Sequence, residues 1–269
     1  MVALSFERPP VARVVLGVSF ASLSRFRTAH VGLFWQRLRD LDEYLIVEDY
    51  EMRPHEPEEF EDAPPSPELE VSVEDRPEVP RVVFSTESAS RQVALQPDLL
   101  QFSWYNTDEQ SYPHYGNVKQ RFFDTLRAWQ ALVDESRLGP LRWSQVELSY
   151  YNVLDGQQGE DFSRIARLVR MIPESASAPE VEDLHYSQHT ALEGIGGQKA
   201  RIHAYLYADF IDKAPRATLA LNYRGLLPAT VTPDGLGEYF DHGHETLLET
   251  FIEITTPEAH VLWGRELSQ

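Results

Sequence analysis

Apolar and polar positions change period several times along the chain, and each change marks an element. Residues 13–21 are rich in β-branched side chains and predict a strand. From Ser24, a candidate N-cap, Val31, Phe34, Trp35, Leu38 and Leu41 recur at helical spacing and predict a helix to about Asp40 with one apolar stripe. Residues 44–52 return to strand composition, and 81–85 with 91–95 read as a hairpin in which Val93 and Leu95 alternate with polar neighbours. The order then begins again. A strand over 99–105 precedes a helix over about 117–136, striped by Val118, Phe122, Leu126, Trp129 and Val133 and stopped by Gly139-Pro140. Val146, Leu148 and Tyr150 alternate with Gln145, Glu147 and Ser149 in a strand over 142–151. After a short amphipathic helix over 161–171 come three strands, 183–192, 201–209 and 218–223. The first two are joined by Gly194-Ile195-Gly196-Gly197, a turn suited to positive φ. Residues 236–253 form a last long helix, and Thr256-Pro257 supplies an N-cap with proline at the first helical position of a short one.

Strand, helix, three strands thus runs twice. The pattern predicts one α+β domain over 1–269, with pseudo-repeat halves 1–98 and 99–269. Two βαβββ halves would build a curved antiparallel sheet of about eight or nine strands, with long helices on one face and the other face open. In outline this is similar to helix-grip and TATA-binding-protein-like architectures, an analogy of fold that carries no activity.

Between the third strand and the hairpin, residues 54–80 break the pattern with seven prolines, ten acidic residues and the single Arg76. Proline withholds backbone donors and like charges repel, so the segment reads as an extended, solvated acidic insertion. Leu69, Val71 and Val73 alternate well enough for an edge strand. The insertion accounts for nearly half of a formal net charge of -19. That charge disfavours direct nucleic-acid binding and makes the segment a candidate arm for a basic protein partner.

Other classes are narrowed by what the sequence holds. There is no cysteine, hence no disulfide and no thiolate chemistry, which fits the cytoplasm. No phosphate-cradling Gly-x-x-x-x-Gly-Lys-Ser/Thr loop and no Gly-x-Ser-x-Gly elbow occurs. Neither a secretory leader nor a membrane-spanning apolar run is visible. No cofactor or metal is implied.

Strand alternation sorts the late strands into two faces. If Ile202, Leu206, Leu219 and Leu221 meet the helices, the opposite face gathers His185, His189, His203, Tyr205, Tyr207 and Asn222, joined by Glu147 of the preceding strand. Aromatic rings with hydrogen-bonding edges suit recognition of a ligand or partner, although Tyr and His are also ordinary residues of a solvated strand face. Asp241-His242-Gly243-His244-Glu245 invites a metal reading, but residues two apart on a helix point in different directions. A satisfied core or helix-start histidine, with Asp241 and His244 hydrogen-bonded, fits better, and His260 near Trp263 reads the same way. The stripe Arg164, Arg167, Arg170 could clamp an anion, though pairing with the surplus carboxylates explains it as well.

Three segments carry a likeness to a known group of proteins. Tyr112-Pro113-His114-Tyr115, Tyr150-Tyr151-Asn152, and His244-Glu245-Thr246-Leu247-Leu248-Glu249-Thr250-Phe251 followed by Thr255-Thr256-Pro257-Glu258 resemble, in order and spacing, an uncharacterised, sporadically distributed bacterial protein family. The likeness runs along most of the chain from about residue 80 onward. It implies no activity. A sporadic distribution is typical of mobile or defence-associated genes, so it implies an interaction or immunity-type role.

Two functions follow as expectations. One is a non-enzymatic interaction module that holds a basic partner through the open sheet face and the acidic arm. The other is a small-molecule sensor or enzyme on the His/Tyr face, which requires a pocket there and a histidine bonded to a carboxylate such as Glu147 or Asp209.

Overall fold

Alternating strands and three amphipathic helices assemble into a two-layer molecule. A computed structural model describes residues 5–53, 58–60, 79–107, 112–155, 162–172 and 181–266. Most of the acidic insertion, including Leu69, Val71 and Val73, lies outside the described residues. The elements run β1 (Ser5–Phe6), β2 (Val11–Phe20), α1 (Thr28–Leu41), β3 (Tyr44–Tyr50), β4 (Arg81–Thr86), β5 (Arg91–Gln96), β6 (Leu99–Tyr105), α2 (Tyr115–Glu135) and β7 (Trp143–Asp155). They continue with α3 (Ser163–Leu168), β8 (Leu184–Glu193), β9 (Lys199–Ile211), β10 (Ala214–Leu226), α4 (Leu236–Ile254), α5 (Pro257–Leu262) and β11 (Arg265–Glu266).

Nine strands make one open antiparallel sheet in the order β3-β4-β5-β6-β2-β7-β10-β9-β8, while β1 and β11 pair separately and tie the two chain ends together. The fold is α+β. Only α2 and α4, of 21 and 19 residues, are long; α1 has 14, and α3 and α5 have six each. Strand, helix, three strands runs from β2 to β5, whereas from β6 the helix α2 is followed by four strands, β7 to β10, with α3 between the first two. In space β6 sits between β5 and β2, and four strands lie outside β2 against three outside β7. Strands β6, β5 and β4 flank β2 as β10, β9 and β8 flank β7.

Register assigns the faces. Val14, Leu16 and Val18 of β2 lie opposite Tyr150, Leu148 and Val146 of β7 on one side, and opposite Trp104, Phe102 and Leu100 of β6 on the other. Tyr150, Leu148, Leu219, Leu221 and Tyr223 continue that row into β10, and Leu206, Ala204 and Ile202 into β9. All of these belong to one buried core beneath the helices. The predicted alternation therefore stands: Ile202 and Leu206 point inward, at 8% and 1% exposure. At the middle of the core Trp129 of α2 meets Phe20, Phe26 and Phe34 at centroid distances of 6.2, 5.4 and 5.4 Å, edge-on to two of them.

Two boundaries differ from expectation. Helix α1 starts at Thr28, not after Ser24, because Leu23 and Phe26 are both drawn into the core and the chain between them makes a turn, the Phe26 N–H donating to the Leu23 carbonyl at 2.9 Å. Arg27 is the N-cap residue, and its N–H donates to Nδ1 of His30 at 2.9 Å. Strands β9 and β10 also run on past 209 and begin before 218, joined by Asp212-Lys213 at φ 52° and 64°. Both turn residues are left-handed without a glycine to announce it. The Gly194–Gly197 turn behaves as its glycines suggest, with Gly196 and Gly197 at φ 65° and 75°.

Candidate functional site

Every residue assigned to the open sheet face stands on it. His189 lies opposite His203, His185 opposite Tyr207, Asn222 opposite both His203 and Ser149, and Glu147 opposite Arg224. The His189 and His203 rings are 4.5 Å apart, the Tyr205 hydroxyl is 3.3 Å from Nδ1 of His203, and His185 meets Tyr207 at 5.1 Å. Asn222 donates to Glu147 at 3.0 Å and to Ser149 at 2.7 Å. The row is graded. His185 and His189 on edge strand β8 are exposed, whereas His203 is buried.

What buries His203 is a stretch of the acidic insertion. Residues 58–60 cross the face, and the Glu58 side chain, 3% exposed, sits between Arg201, His203 and Arg224. Nε2 of His203 is 2.6 Å from the carboxylate, and the Glu58 N–H donates to Gln145 at 2.9 Å. Burial pushes the Glu58 carboxyl pKa up, but the His203 hydrogen bond and the Arg201 and Arg224 charges outweigh it and hold the group below its ordinary value. A histidine on this face is therefore bonded to a carboxylate, though neither Glu147 nor Asp209 supplies it.

A cavity lies on the other side of the sheet, under the helices. It measures about 300 Å³ and is walled by Tyr112, His114, Tyr115 and Gly116 at the start of α2, Tyr150 and Asn152 of β7, and Leu221 of β10. His244, Leu247, Leu248 and Phe251 of α4 form the opposite wall, and Phe6, Pro9 and Val11 complete it. Phe6 is held there by edge-on contacts to Phe251 and Trp263. The size is at the lower end of small-molecule sites.

One polar chain runs through this apolar enclosure. The Tyr112 and Tyr150 hydroxyls are 3.4 Å apart, and the Tyr150 hydroxyl is 3.0 Å from Nδ1 of His244. Tyr115 stacks on the His244 ring at 4.0 Å and donates to Asp241 at 3.0 Å, where Lys119 also binds at 2.6 Å. Asp241 and His244 thus do not bond each other as expected, because Tyr115 takes the acceptor. Burial drives the His244 pKa down to about 4, and the Lys119 charge helps while Asp241 opposes. Burial pushes Tyr112 up to about 12 and Tyr150 well above its ordinary value. At neutral pH the whole chain is uncharged. Each hydroxyl has one proton to give, so a row in which Tyr112 donates to Tyr150 and Tyr150 to Nδ1 of His244 satisfies both donors and leaves lone pairs on the two hydroxyl oxygens.

The rim adds strain. His114, the N-cap residue of α2, has φ 65° and ψ 150°, a region that costs a non-glycine residue on the order of 1–3 kcal/mol. Three stretches far apart in the sequence meet at this cavity: Tyr112, His114 and Tyr115 at its mouth, Tyr150 and Asn152 on its floor, and His244, Leu247, Leu248 and Phe251 along its wall. The other histidine candidate, His260, is bonded through Nε2 to Thr255 at 2.8 Å, in keeping with a satisfied core residue. Arg170 of the arginine stripe donates to the Thr255 carbonyl at 2.9 Å, and Arg167 lies 3.8 Å from Glu258.

Face alternation exposed the sheet candidates, whereas the cavity residues read individually as core or helix-start positions. Glu58 gave no signal beyond membership of an acidic run. Compared with known proteins, the sequence matches no family model and no curated protein. Among the described residues no helix is long and apolar enough to cross a membrane.

Proposed function

We propose that this protein binds a small, largely apolar, uncharged molecule in the cavity between α2, α4 and β7, and works by binding, not by catalysis. The observation that carries this reading is the Tyr112–Tyr150–His244 chain set in an enclosure that, among the described residues, is lined by no Lys, Arg, Asp or Glu. An apolar wall supplies affinity, and one convergent polar row fixes orientation. A charged group entering it would lose its hydration without a counter-charge, so the site selects neutral ligands that carry a hydroxyl or carbonyl. In this reading the protein acts in the cytoplasm, and the part of the sheet's other face that residues 58–60 leave uncovered serves a protein partner. That second role is supported by exposed Tyr207 and Ile211, which stand on that face near the β8–β9 edge.

The test is a matched pair of probes, 4-propylphenol and 4-propylbenzoate, titrated by calorimetry. The phenol should bind at least about 10-fold more tightly, the usual consequence of ~1.4 kcal/mol. Leu248→Trp, which fills the cavity from α4, should abolish binding while leaving far-UV circular dichroism unchanged. Equal binding of both probes, or phenol binding that survives Leu248→Trp, would refute the reading.

A further inference from the structure

Arg201 and Arg224 stand directly opposite each other on neighbouring strands, a like-charge arrangement that is destabilising and that an anion between them relieves. Glu58 is that anion. Its surroundings do more than neutralise it. Two guanidiniums and an imidazole converge on one carboxylate, Gln145 reads the Glu58 N–H, Arg201 donates to the Glu59 carbonyl at 3.0 Å, and the Arg201 guanidinium lies 4.6 Å from the Phe60 ring centroid. Charge, main chain and an aromatic side chain two residues on are all recognised, which is how a protein surface reads a peptide. The receiving groups come from β7, β9 and β10, so they are held by the sheet whether or not the occupant is present.

The surroundings extend the same preference. Arg13, Arg53 and Arg81 lie on this face beyond Glu147, with Arg13 stacked between Tyr105 and Tyr151 at 4.7 and 5.1 Å. In a chain of formal charge -19 this is a concentration of cations where the protein as a whole would repel an acidic ligand. The basic groups that Glu58 engages belong to its own chain, so this part of the acidic insertion is occupied in cis.

We propose that the Arg201–His203–Arg224 cluster is a binding site for an acidic peptide of a partner protein, one with an aromatic residue two positions after a glutamate, and that residues 58–60 occupy it as an internal competitor. A tethered occupant wins at the high effective concentration its chain imposes, so an external peptide enters only when the tethered one is weakened or outcompeted. The inference is independent of the cavity, which lies on the opposite face of the sheet.

The experiment uses the full chain and a fluorescein-labelled peptide carrying residues 56–62, followed by anisotropy. Glu58→Ala with Phe60→Ala should bind this peptide at least about 10-fold more tightly than the wild type. Glu58→Gln, which keeps the side chain's shape, should give a smaller gain in the same direction and serves if the double variant folds poorly. Adding Arg201→Ala to either opened variant should remove the gain. Equal affinity of the wild type and both opened variants, or no binding by any of them, overturns the proposal. So does an oligothymidylate of equal charge that binds the opened variant as tightly as the peptide, since that would make the site a general anion surface.

Discussion

Replacing His244 with glutamine removes one titrating ring from the cavity wall while keeping a side chain that can accept from Tyr150. The ring's pKa falls from 6.5 to about 4, chiefly because burial penalises the imidazolium. Between those values the unfolded chain binds a proton that the folded chain refuses, so stability rises with pH across that window. Above pH 6.5 the ring costs nothing; as pH falls toward 4 its penalty grows to its full size. An interval from 6.5 to about 4 corresponds to ~3 kcal/mol, of which ~2 kcal/mol falls between about pH 7 and about pH 4.5. The ring is not wholly enclosed, and solvent screening reduces the expected effect to on the order of 1–2 kcal/mol. Urea unfolding of wild type and His244→Gln at those two pH values measures it, provided the denaturant slope is common to both. The wild type should lose 1–2 kcal/mol more than the variant on acidification, on the order given by the linkage. Glu58 does not confuse the comparison. Its carboxyl pKa is lowered, so its contribution persists above the unfolded value of 4.5, is lost only as pH falls through the folded one, and is the same in both proteins. Acid losses that agree within about 0.5 kcal/mol would show that the ring is solvated in the folded state, and the uncharged cavity would go with it.

Two further predictions concern the frame around the site. Gly243 of α4 lies against Tyr223, and a Cβ built there would be 2.7 Å from Cδ1 of the ring. Gly243→Ala gains about 1 kcal/mol of helix propensity, yet overpacking of about 1–3 kcal/mol should outweigh it and leave a net loss of up to about 2 kcal/mol. In the Tyr223→Leu background the same change should cost markedly less, and a double-mutant cycle with no coupling would refute the contact. Lys213→Gly relieves a left-handed residue at φ 64° in the β9–β10 turn and should raise the denaturation midpoint by the equivalent of about 0.5 kcal/mol, a gain of ~1 kcal/mol from relieved strain offset partly by chain entropy. A fall in the midpoint would show that the lysine side chain contributes more than its backbone costs.

Much of the architecture was legible because burial imposes period. Val146, Leu148 and Tyr150 alternate since one side of β7 is core, and Val118, Phe122, Leu126, Trp129 and Val133 recur because one side of α2 is. The same logic placed His185, His189, His203, Tyr205, Tyr207, Asn222 and Glu147 on one face correctly, strand by strand. It failed where the signal is not periodic. Arg224 fell one residue beyond the predicted end of its strand, because Arg224-Gly225 interrupts the strand-like composition that ends at Tyr223. Without Arg224, the partner of Arg201 was missing, and nothing suggested that an anion was needed between them.

Glu58 and the cavity were hidden for different reasons. Ten acidic residues between 54 and 80 are equivalent to any reading of composition, and only the position of a receiving cluster over 140 residues further on distinguishes one of them. The cavity is a property of what packing leaves unfilled, and no side-chain pattern encodes an unfilled volume. Its polar chain joins Tyr112, Tyr150 and His244 from three separate elements, and each alone has an ordinary explanation as a half-buried aromatic residue. Their meeting is what matters: two hydroxyls and an imidazole from separate elements converge on one apolar volume, and the lone pairs left beyond their mutual bonds can fix the orientation of an occupant.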